Sequence, residues 1–577
     1  MRKTKIVVTL GPASTAPDVF RRLVDSGLDV ARINLSHGAV DHHREVIRMI
    51  RRVEQEAGRP VGIMLDTAGP EVRLRTRTPQ GLMLEPDATL SLGAGPDADL
   101  VPSIAGFEEL LEKGHRLVIG DGNLVLEVVQ EGKPARVRVL QGGRMPDNKK
   151  VTSPGQAWAL PVLTQEDVEA LQMGIEEGID WVAASFIRQP DDVVEVRRQV
   201  ESWGGADIPI MAKIETKLAM ENLDTIVRLS DGLMVARGDL GVEYPPEDVP
   251  WLQKKIIDAA NAAGKPVVTA TQMLESMIRA NRPTRAEVTD IAHAVLEGSD
   301  AVMLSEETAV GDYPVEAVTV MARTAVASEA HPWDGDGTGH YGSDTVTDAV
   351  CHAALTAAED LKARLIVTAT ESGHTAQSMA AHRPHVPILA VTPYERVARR
   401  LTLVWGLNTQ IMNTHTTLEG MVDESVAIAV KLGWATVGDR LIVTAGAPVG
   451  KAGSTNVLRV VTVGEVLLRG QGLGPEGEVH GLVAIVTDLN AAKPEDVADK
   501  VLVVPNTDAE WTPLMEKARA IVVEAGGLTS HAAIIGISLG IPTIIGVTDA
   551  TTLLANGQPV AVDAVAGAVL QGRTAGQ

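Results

Sequence analysis

The sequence predicts an α/β protein whose largest part is a (β/α)8 barrel, interrupted by a small β-domain and followed by two further α/β domains. Three observations lead to this fold class. The chain has 577 residues, which is too many for one hydrophobic core. Its N-terminal half alternates eight apolar runs with amphipathic stretches, as parallel strands buried on both faces do. Polar residues stand at the carboxyl end of each run, where such barrels place their active sites.

The predicted barrel strands are the eight apolar runs, and helix-like segments such as PDVFRRLVDSG and EDVEALQMGIEEG lie next to them. The runs are KIVVTL (5–10), LDVARINLS (28–36), VGIMLDT (61–67), IDWVAASF (179–186), IPIMAKIET (208–216), GLMVARGDLG (232–241), KPVVTATQM (265–273) and DAVMLSEET (300–308). Eight strand–helix units are the number that closes a barrel of this type.

The segment between the third and fourth runs, residues 70–160, has a different pattern. Alternating β-like pieces such as HRLVIGDGNLVLEVVQ are separated by turn-rich connections. We therefore expect a small β-domain inserted into a barrel loop, so that the barrel takes residues 1–69 and 161–335.

Two composition changes predict the later boundaries. The Asp- and Gly-rich segment 331–344 is typical of a linker, and the Gly-rich segment 470–478 marks a second boundary. We expect an α/β domain over 345–467 and a further small α/β domain over 478–577.

Composition limits the class of protein. The formal net charge of −23 argues against a general nucleic-acid binder or a protein of anionic membrane surfaces. No apolar run approaches the roughly 20 residues of a membrane span. The single cysteine, Cys351, excludes an internal disulfide and predicts a cytoplasmic setting. An acidic protein can still bind an anionic metabolite through local cations.

Two motifs at predicted strand ends combine cations with carboxylates. Lys213 and Glu215 in AKIET share one side of a strand, and Asp239 follows the next strand in VARGDLG. Glu215 and Asp239 could together bind Mg²⁺, with Lys213 beside it stabilising a phosphoryl group in transfer. The alternative for either pair alone is a salt bridge at the barrel rim.

Further polar residues alternate at the ends of three other strands. Arg32 in VARINLSHG offers a bidentate anchor for phosphate. Thr271 in TATQM could position or protonate a substrate, or cap a helix. The oxygens suited to a weakly held monovalent cation, each of which could instead belong to a cap or turn, are those of Asn34, Ser36, Asp66 and Thr67.

A resemblance to a known family rests on these blocks together. The sequence resembles pyruvate kinase, in order and with matching spacing, over about residues 1–465. The blocks that carry it are TKIVVTLGPAS, DVARINLSHG, LDTAGPEVR, MAKIET, VARGDLGVE, TATQMLESM, RPTRAEVTDIAHAVLEGSDAVMLSEETAVGDYPVEAV and TAGAPVGKAGSTN. The resemblance implies a catalytic TIM barrel (A domain), a β-barrel lid (B domain) and an allosteric C domain. It also implies transfer of the phosphoryl group of phosphoenolpyruvate to ADP, giving pyruvate and ATP.

The resemblance also implies a role for each matching residue. Arg32 would grip the phosphate, and Lys213 would stabilise the transferring phosphoryl group. Glu215 and Asp239 would hold Mg²⁺, or Mn²⁺ in its place. The backbone around Gly238 and Asp239, with Thr271, would bind the substrate, and Thr271 or a nearby water chain would deliver the proton. K⁺ would be held by Asn34, Ser36, Asp66 and Thr67. ADP or ATP would be bound by Asn34, Arg73 and Lys150.

The sequence departs from the family pattern at several positions. Ala68 replaces a common Lys, Glu306 replaces a common Gly, and the lid segment bearing Lys150 is one residue short. Glu71 is retained where relatives that work without K⁺ tend to carry Lys, so we expect K⁺ dependence.

The resemblance implies regulation in the C domain and self-assembly. TATESGHTAQSMA (368–380) resembles the loop that binds effector phosphates, and a helix N-terminus there would bind an anion. The residues concerned are Ser372, Gly373, His374 and Thr375. An ordinary capped turn is the alternative. A small phosphorylated effector and a homotetramer are implied by the family.

The last hundred residues leave the common pyruvate kinase pattern. GGLTSHAAIIGISLGIP (526–542) resembles the swivelling phosphohistidine domain of phosphoenolpyruvate-utilising enzymes, in which a histidine at the place of His531 carries phosphate. The chain has no room for the ATP-grasp module that phosphorylates this histidine in a dikinase. Two interpretations stay open: a phosphoryl relay at His531, and a domain kept for packing, assembly or regulation.

Overall fold

The computed structural model describes residues 2–95, 98–120, 122–156, 158–331, 345–436, 438–448, 455–464, 466–475 and 478–572. The predicted linker at 331–344 lies, after His331, outside the described residues. The chain divides into two compact units, the first made of Met1–His352, Thr368–Thr416 and Ala445–Asn456 and the second of Ala353–Val367, Thr417–Thr444 and Val457–Gln577.

The chain begins with three strands and two helices of a barrel. They are β1 (Lys5–Thr9), α1 (Pro17–Ser26), β2 (Val30–Asn34), α2 (Val40–Ala57) and β3 (Gly62–Asp66). Pro17 opens α1, where its missing N–H costs nothing, and Gly27 ends it at a φ of +118°. Every residue of β1 and β3 is buried, as the continuous apolar runs predict.

The next segment is an inserted β-domain. Its strands are β4 (Arg73–Thr76), β5 (Leu82–Leu84), β6 (Thr89–Leu92), β7 (Leu100–Pro102), β8 (Arg116–Ile119), β9 (Leu124–Gln130), β10 (Ala135–Gln141), β11 (Gly143–Met145) and β12 (Lys149–Thr152), with a 3₁₀ helix at Phe107–Leu110. Seven of them close in the order β10-β6-β7-β4-β12-β8-β9, while β11 pairs with β5. Alternate residues of β9 and β10 face the core, so the prediction of a small β-barrel is confirmed.

The remaining barrel strands and helices follow. They are α3 (Gln165–Glu176), β13 (Trp181–Ala184), α4 (Pro190–Ser202), β14 (Ile210–Ile214), α5 (Lys217–Glu221), α6 (Leu223–Leu229), β15 (Gly232–Ala236), α7 (Arg237–Glu243), α8 (Val249–Ala262), β16 (Val267–Ala270), α9 (Arg285–Leu296), β17 (Ala301–Leu304), α10 (Glu306–Ala309) and α11 (Pro314–Glu329), with 3₁₀ helices at Pro246–Asp248 and Glu275–Ile278. The parallel ring runs β1-β2-β3-β13-β14-β15-β16-β17 and closes on β1. Each of the eight predicted runs is one strand of this ring.

A fourfold repeat closes the floor of the barrel, the end where the strands begin. An aspartate stands immediately before every second strand of the ring. It accepts a hydrogen bond from a backbone N–H near the start of the preceding strand of the ring. These bonds are Ile6 N to Asp29 (2.8 Å), Ile63 N to Asp180 (2.8 Å), Ile210 N to Asp231 (2.8 Å) and Val267 N to Asp300 (3.0 Å). Each aspartate also pairs with an arginine: Arg2, Arg51, Arg197 and Arg383, respectively.

An α/β sheet of five strands follows the barrel. Its elements are α12 (Val346–Asp360), β18 (Leu365–Ala369), α13 (His374–Ala381), β19 (Ile388–Thr392), α14 (Glu395–Leu401), β20 (Leu407–Ile411), α15 (Leu418–Lys431), β21 (Arg440–Gly446) and β22 (Thr455–Thr462). The strand order is β20-β19-β18-β21-β22.

The chain ends in an eight-stranded mixed sheet. Its elements are β23 (Val466–Arg469), β24 (Gln471–Leu473), β25 (Glu478–Ile485), β26 (Val501–Val504), α16 (Thr512–Met515), β27 (Ala520–Val523), α17 (His531–Leu539), β28 (Thr543–Ile545), α18 (Ala550–Leu553), β29 (Pro559–Asp563) and β30 (Ala568–Gln571), with 3₁₀ helices at Leu489–Ala491, Pro494–Asp496 and Ala509–Trp511. The order is β23-β30-β29-β25-β26-β27-β28-β24. Because β23 and β24 pair within this sheet, it begins before residue 478, where the sequence places the domain boundary. In the part of the chain that is described, no helix has the length and apolarity to cross a membrane.

Candidate active site

Asp66 is the centre of a buried cluster at the barrel mouth, the end where the strands finish. Its Oδ2 lies 2.6 Å from Arg32 Nε and its Oδ1 lies 3.0 Å from Lys213 Nζ. Its side chain is 1% exposed. Burial alone would raise the pKa of Asp66, but the two cations outweigh burial and hold the pKa below its ordinary value. Asp66 therefore stays charged and fixes both cations in place.

Lys213 is the second buried cation of the cluster. Its ammonium donates to Ser185 Oγ at 2.7 Å and lies 2.8 Å from Glu215 Oε1. Burial disfavours its charge, but Asp66 and Glu215 prevail and raise the pKa of Lys213 above its ordinary value. Lys213 is thus a fixed positive charge and no proton donor at neutral pH.

Glu215 faces the same space as Asp239. Its Oε2 accepts from Phe186 N at 2.9 Å. Burial raises the pKa of Glu215, Lys213 opposes the rise, and the nearby carboxylate of Asp239 adds to it. Two carboxylates close enough to repel each other are a natural place for a cation.

A lysine of the inserted domain reaches this pair. Lys150 Nζ lies 2.5 Å from Asp239 Oδ1 and 4.6 Å from the centre of the Phe186 ring. Burial opposes its charge, but Asp239 and Glu215 outweigh burial and raise the pKa of Lys150. The structure therefore brings Lys150 to the barrel mouth, although its sequence context is one residue short of the family pattern.

The loop after β16 faces the start of α7. Thr271 Oγ1 accepts from Gly238 N at 2.9 Å, and Thr271 has a φ of +69°. A non-glycine residue at such a φ is strained, and strain of this kind concentrates at functional sites. Arg237 holds the loop, since its Nε donates to Ala270 O at 3.2 Å and its Nη1 lies 2.7 Å from Asp290.

The four predicted K⁺ residues do not form one bonded group in the described contacts. Thr67 Oγ1 accepts from Ser185 N at 3.0 Å, next to Asp66. Asn34 Oδ1 accepts from Ser36 N at 3.1 Å, which is a turn bond. Among the described residues, no group of three or more His, Cys, Asp or Glu side chains could hold a metal ion.

Arg73 lies in the inserted domain at its junction with the barrel. Its Nη2 lies 2.6 Å from Glu71 Oε1, and its Nη1 donates to Asn148 O at 3.2 Å. Arg73 pairs in register with Lys150 between strands β4 and β12. Two cations thus stand side by side on the lid.

Ser185 and Phe186 are site residues that the sequence reasoning missed. Ser185 Oγ lies 3.3 Å from Asp66 Oδ1 and donates to Thr67 O at 2.6 Å. Phe186 has a φ of +54°, which turns its N–H towards Glu215. The available signal was their place at the carboxyl end of the fourth apolar run, IDWVAASF, where the other runs carry their polar residues.

The predicted effector loop begins α13. Gly373 has a φ of +90° and donates its N–H to Thr370 Oγ1 at 2.9 Å. His374 N lies 3.5 Å from Ser372 Oγ, whereas the hydroxyl of Thr375 is buried against Thr455. The local geometry is a capped turn with a helix N-terminus.

His531 is the first residue of α17 in the terminal domain. Ser530 caps the helix by accepting from Ala533 N at 3.3 Å. His531 Nδ1 lies 3.2 Å from Thr507 Oγ1. The histidine is half-buried and bonded at a helix start.

Three family models match the chain. They are described as "Pyruvate kinase, barrel domain" for residues 1–318, "Pyruvate kinase, alpha/beta domain" for 348–461 and "PEP-utilising enzyme, mobile domain" for 497–567. Similar proteins include the pyruvate kinases of Sporosarcina psychrophila (41% identical over 591 residues), Bacillus licheniformis (42% over 583) and Geobacillus stearothermophilus (43% over 581). Each alignment covers 99% of both chains. The chain belongs to the pyruvate kinase family.

Proposed function

We propose that the cluster at the barrel mouth transfers the phosphoryl group of phosphoenolpyruvate to ADP, giving pyruvate and ATP. The observation that carries the proposal is the buried arrangement of Arg32 and Lys213 on the single carboxylate of Asp66. A preorganised pair of cations in a water-poor site stabilises the charge of a phosphoryl group in transfer better than mobile surface lysines do.

In the proposed reaction, an oxygen of the ADP β-phosphate attacks phosphorus and the bond to the enol oxygen breaks. Arg32 grips the phosphate and Lys213 neutralises charge on the moving group. The backbone around Gly238 and Asp239, with Thr271, receives the substrate carboxylate. The enolate then takes a proton at its methylene carbon, delivered by Thr271 or a water chain beside it.

For the metal we propose a divalent ion, Mg²⁺ or Mn²⁺, held by Glu215 and Asp239. The donor set fits, because two carboxylate oxygens leave positions for phosphate oxygens and water. When bound, the ion would supply positive charge to the phosphate oxygens. Each carboxylate is paired with a lysine, Glu215 with Lys213 and Asp239 with Lys150. The two lysines therefore already balance part of the negative charge of the two carboxylates.

For K⁺ we propose Asn34, Ser36, Asp66 and Thr67. Support comes from the kind of oxygens that they offer and from the retained Glu71. For the nucleotide phosphates we propose Asn34, Arg73 and Lys150, supported by the position of Lys150 beside Asp239. The inserted domain then acts as a lid that excludes water.

The domain roles extend this proposal. The catalytic barrel takes residues 1–69 and 161–335, the lid 70–160, an allosteric domain 345–467 and a phosphohistidine-like domain 478–577. We propose a phosphorylated effector at Ser372, Gly373, His374 and Thr375. We also propose a homotetramer and a cytoplasmic setting, the latter supported by the single buried Cys351.

For His531 we propose a ligand-binding or regulatory role, not that of the catalyst. Support comes from its capped position at the start of α17 and from its contact with Thr507.

A coupled assay tests the proposal. Pyruvate formation from phosphoenolpyruvate and ADP is measured with Mg²⁺, with and without K⁺, for wild type and for Lys213→Met. The control is Lys255→Met, since Lys255 is an exposed lysine of α8 outside the cluster. We expect turnover in wild type and Lys255→Met but not in Lys213→Met. Equal rates for all three proteins would contradict the proposal.

A further inference from the structure

The inserted domain joins the barrel through two chain crossings, and barrel side chains hold the backbone of both. At the entry, Asp167 accepts from Ala68 N at 2.7 Å and from Gly69 N at 3.0 Å. At the exit, Arg188 donates to Trp158 O at 2.8 Å and to Leu160 O at 3.0 Å. These bonds fix the barrel side of each crossing.

Glu243 holds the exit crossing at a point nearer the lid. Its Oε2 accepts from Gly155 N at 3.0 Å and from Lys217 N at 3.4 Å. Gly155 follows β12, the strand that carries Lys150. Lys217 follows Glu215 by two residues, and Glu243 itself ends α7, which begins at Arg237. One carboxylate therefore joins the lid, the loop after Glu215 and the helix of Asp239.

Packing alone does not fix this junction. Gly155 and Glu243 line an open recess, together with Lys150 and Phe186. Gly155 has a φ of +75°, and a Cβ added there would meet only the flexible Lys217 side chain, at 3.6 Å. Strand β12 is packed into the lid core through the buried Val151, but the segment after it borders this recess. The position of that segment against the barrel therefore depends on hydrogen bonds, and those of Glu243 lie nearer the lid than those of Arg188.

We propose that Glu243 is a positioning residue, which sets where the last lid strand, β12, and with it Lys150, lies over the barrel mouth. The two hydrogen bonds that Glu243 accepts, from Gly155 N and Lys217 N, form an anchor that does not depend on the reaction. Its kinetic consequence rests on the proposed function, in which Lys150 binds nucleotide phosphate and the barrel residues bind phosphoenolpyruvate.

Three variants separate the anchor from general stability. Glu243→Ala removes the acceptor, Glu243→Gln keeps an oxygen that both N–H groups can reach, and Glu247→Ala is an exposed control four residues away. Hydrogen–deuterium exchange of peptides spanning 151–160 is measured in the full chain. We expect faster exchange in Glu243→Ala alone. Unchanged exchange in Glu243→Ala would overturn the proposal, whether or not the protein turns over phosphoenolpyruvate.

Steady-state kinetics provide the second readout. We expect Glu243→Ala to lower kcat/KM for ADP by about tenfold, because the variant loses the charge-assisted hydrogen bond that Gly155 N donates to Glu243. KM for phosphoenolpyruvate should stay at the wild-type value, and Glu243→Gln should recover most of the loss. Equal losses for both substrates, or equal losses in the Ala and Gln variants, would show that Glu243 does not act through the lid. Inactive wild type would contradict the proposed function and leave the exchange result to decide on the anchor.

Discussion

Replacing Asp66 by Asn tests whether one buried carboxylate holds both cations of the site. Asn has nearly the same shape, so the variant removes the charge with little change of volume. It leaves Arg32 and Lys213, now 2.6 and 3.0 Å from a neutral group, facing each other in a site where Asp66 is 1% exposed. Breaking a buried ion pair by removing one partner costs about 3–5 kcal/mol.

The expected destabilisation is large enough to measure by melting. A loss of about 3 kcal/mol in the free energy of unfolding lowers the melting temperature by roughly 2–4 °C per kcal/mol in a domain of this size. The barrel of Asp66→Asn should therefore melt roughly 10 °C below that of the wild type. The control is Asp25→Asn, whose partner Arg21 lies at 3.0 Å but in solvent, so its loss should amount to less than about 0.5 kcal/mol. Differential scanning calorimetry measures both variants.

The pH dependence of this difference follows from the sign of the pKa shift. The pKa of Asp66 is lower in the folded protein, so its stabilisation is present above its unfolded pKa of about 3.9 and is lost as the pH falls through the folded value. Wild type and Asp66→Asn should therefore differ by a constant amount between about pH 5 and 8 and converge below about pH 4. The reasoning would be wrong if Asp66→Asn melted at the same temperature as Asp25→Asn. It would also be wrong if the losses in free energy of unfolding of Asp66→Asn and Lys213→Met simply added in the double variant.

Three further predictions concern the floor, the terminal domain and the monovalent cation. Asp29→Ala leaves the buried N–H of Ile6 without its acceptor at 2.8 Å and should lower the free energy of unfolding by about 2 kcal/mol, measured by urea titration. Gly536→Ala places a Cβ 2.2 Å from Thr543 Oγ1, so we expect proteolysis of the terminal domain to increase while pyruvate formation persists. In a potassium-free buffer pyruvate formation should fall and should return when KCl is added; no change would remove the proposed K⁺ site.

The barrel could be predicted from sequence because its strands are buried on both faces. Runs such as VVTA and AVML then contain little but apolar residues, and the polar residues after them mark the mouth. Lys213, Glu215 and Asp239 could be placed together because parallel strands end at one edge. Their pairing with Asp66 and Lys150 could not, since those contacts join segments far apart in the chain.

Backbone conformation explains other gaps. Phe186 and Thr271 have positive φ angles that no residue-type pattern indicates. The floor aspartates had a signal, an Asp at or just before the start of every second apolar run, but its meaning depends on the neighbouring strand. The early start of the terminal sheet was hidden because β24 (Gln471–Leu473) is short, partly exposed and Gly-containing, as a linker would be.

The most direct test of the central claim compares two variants in one assay. Pyruvate formation from phosphoenolpyruvate and ADP is measured side by side for Lys213→Met and His531→Ala, both as the full chain. If the barrel mouth performs the chemistry, Lys213→Met is inactive and His531→Ala keeps most of the wild-type turnover. Loss of turnover in His531→Ala, with Lys213→Met still active, would contradict the account and place the phosphoryl transfer on the terminal domain.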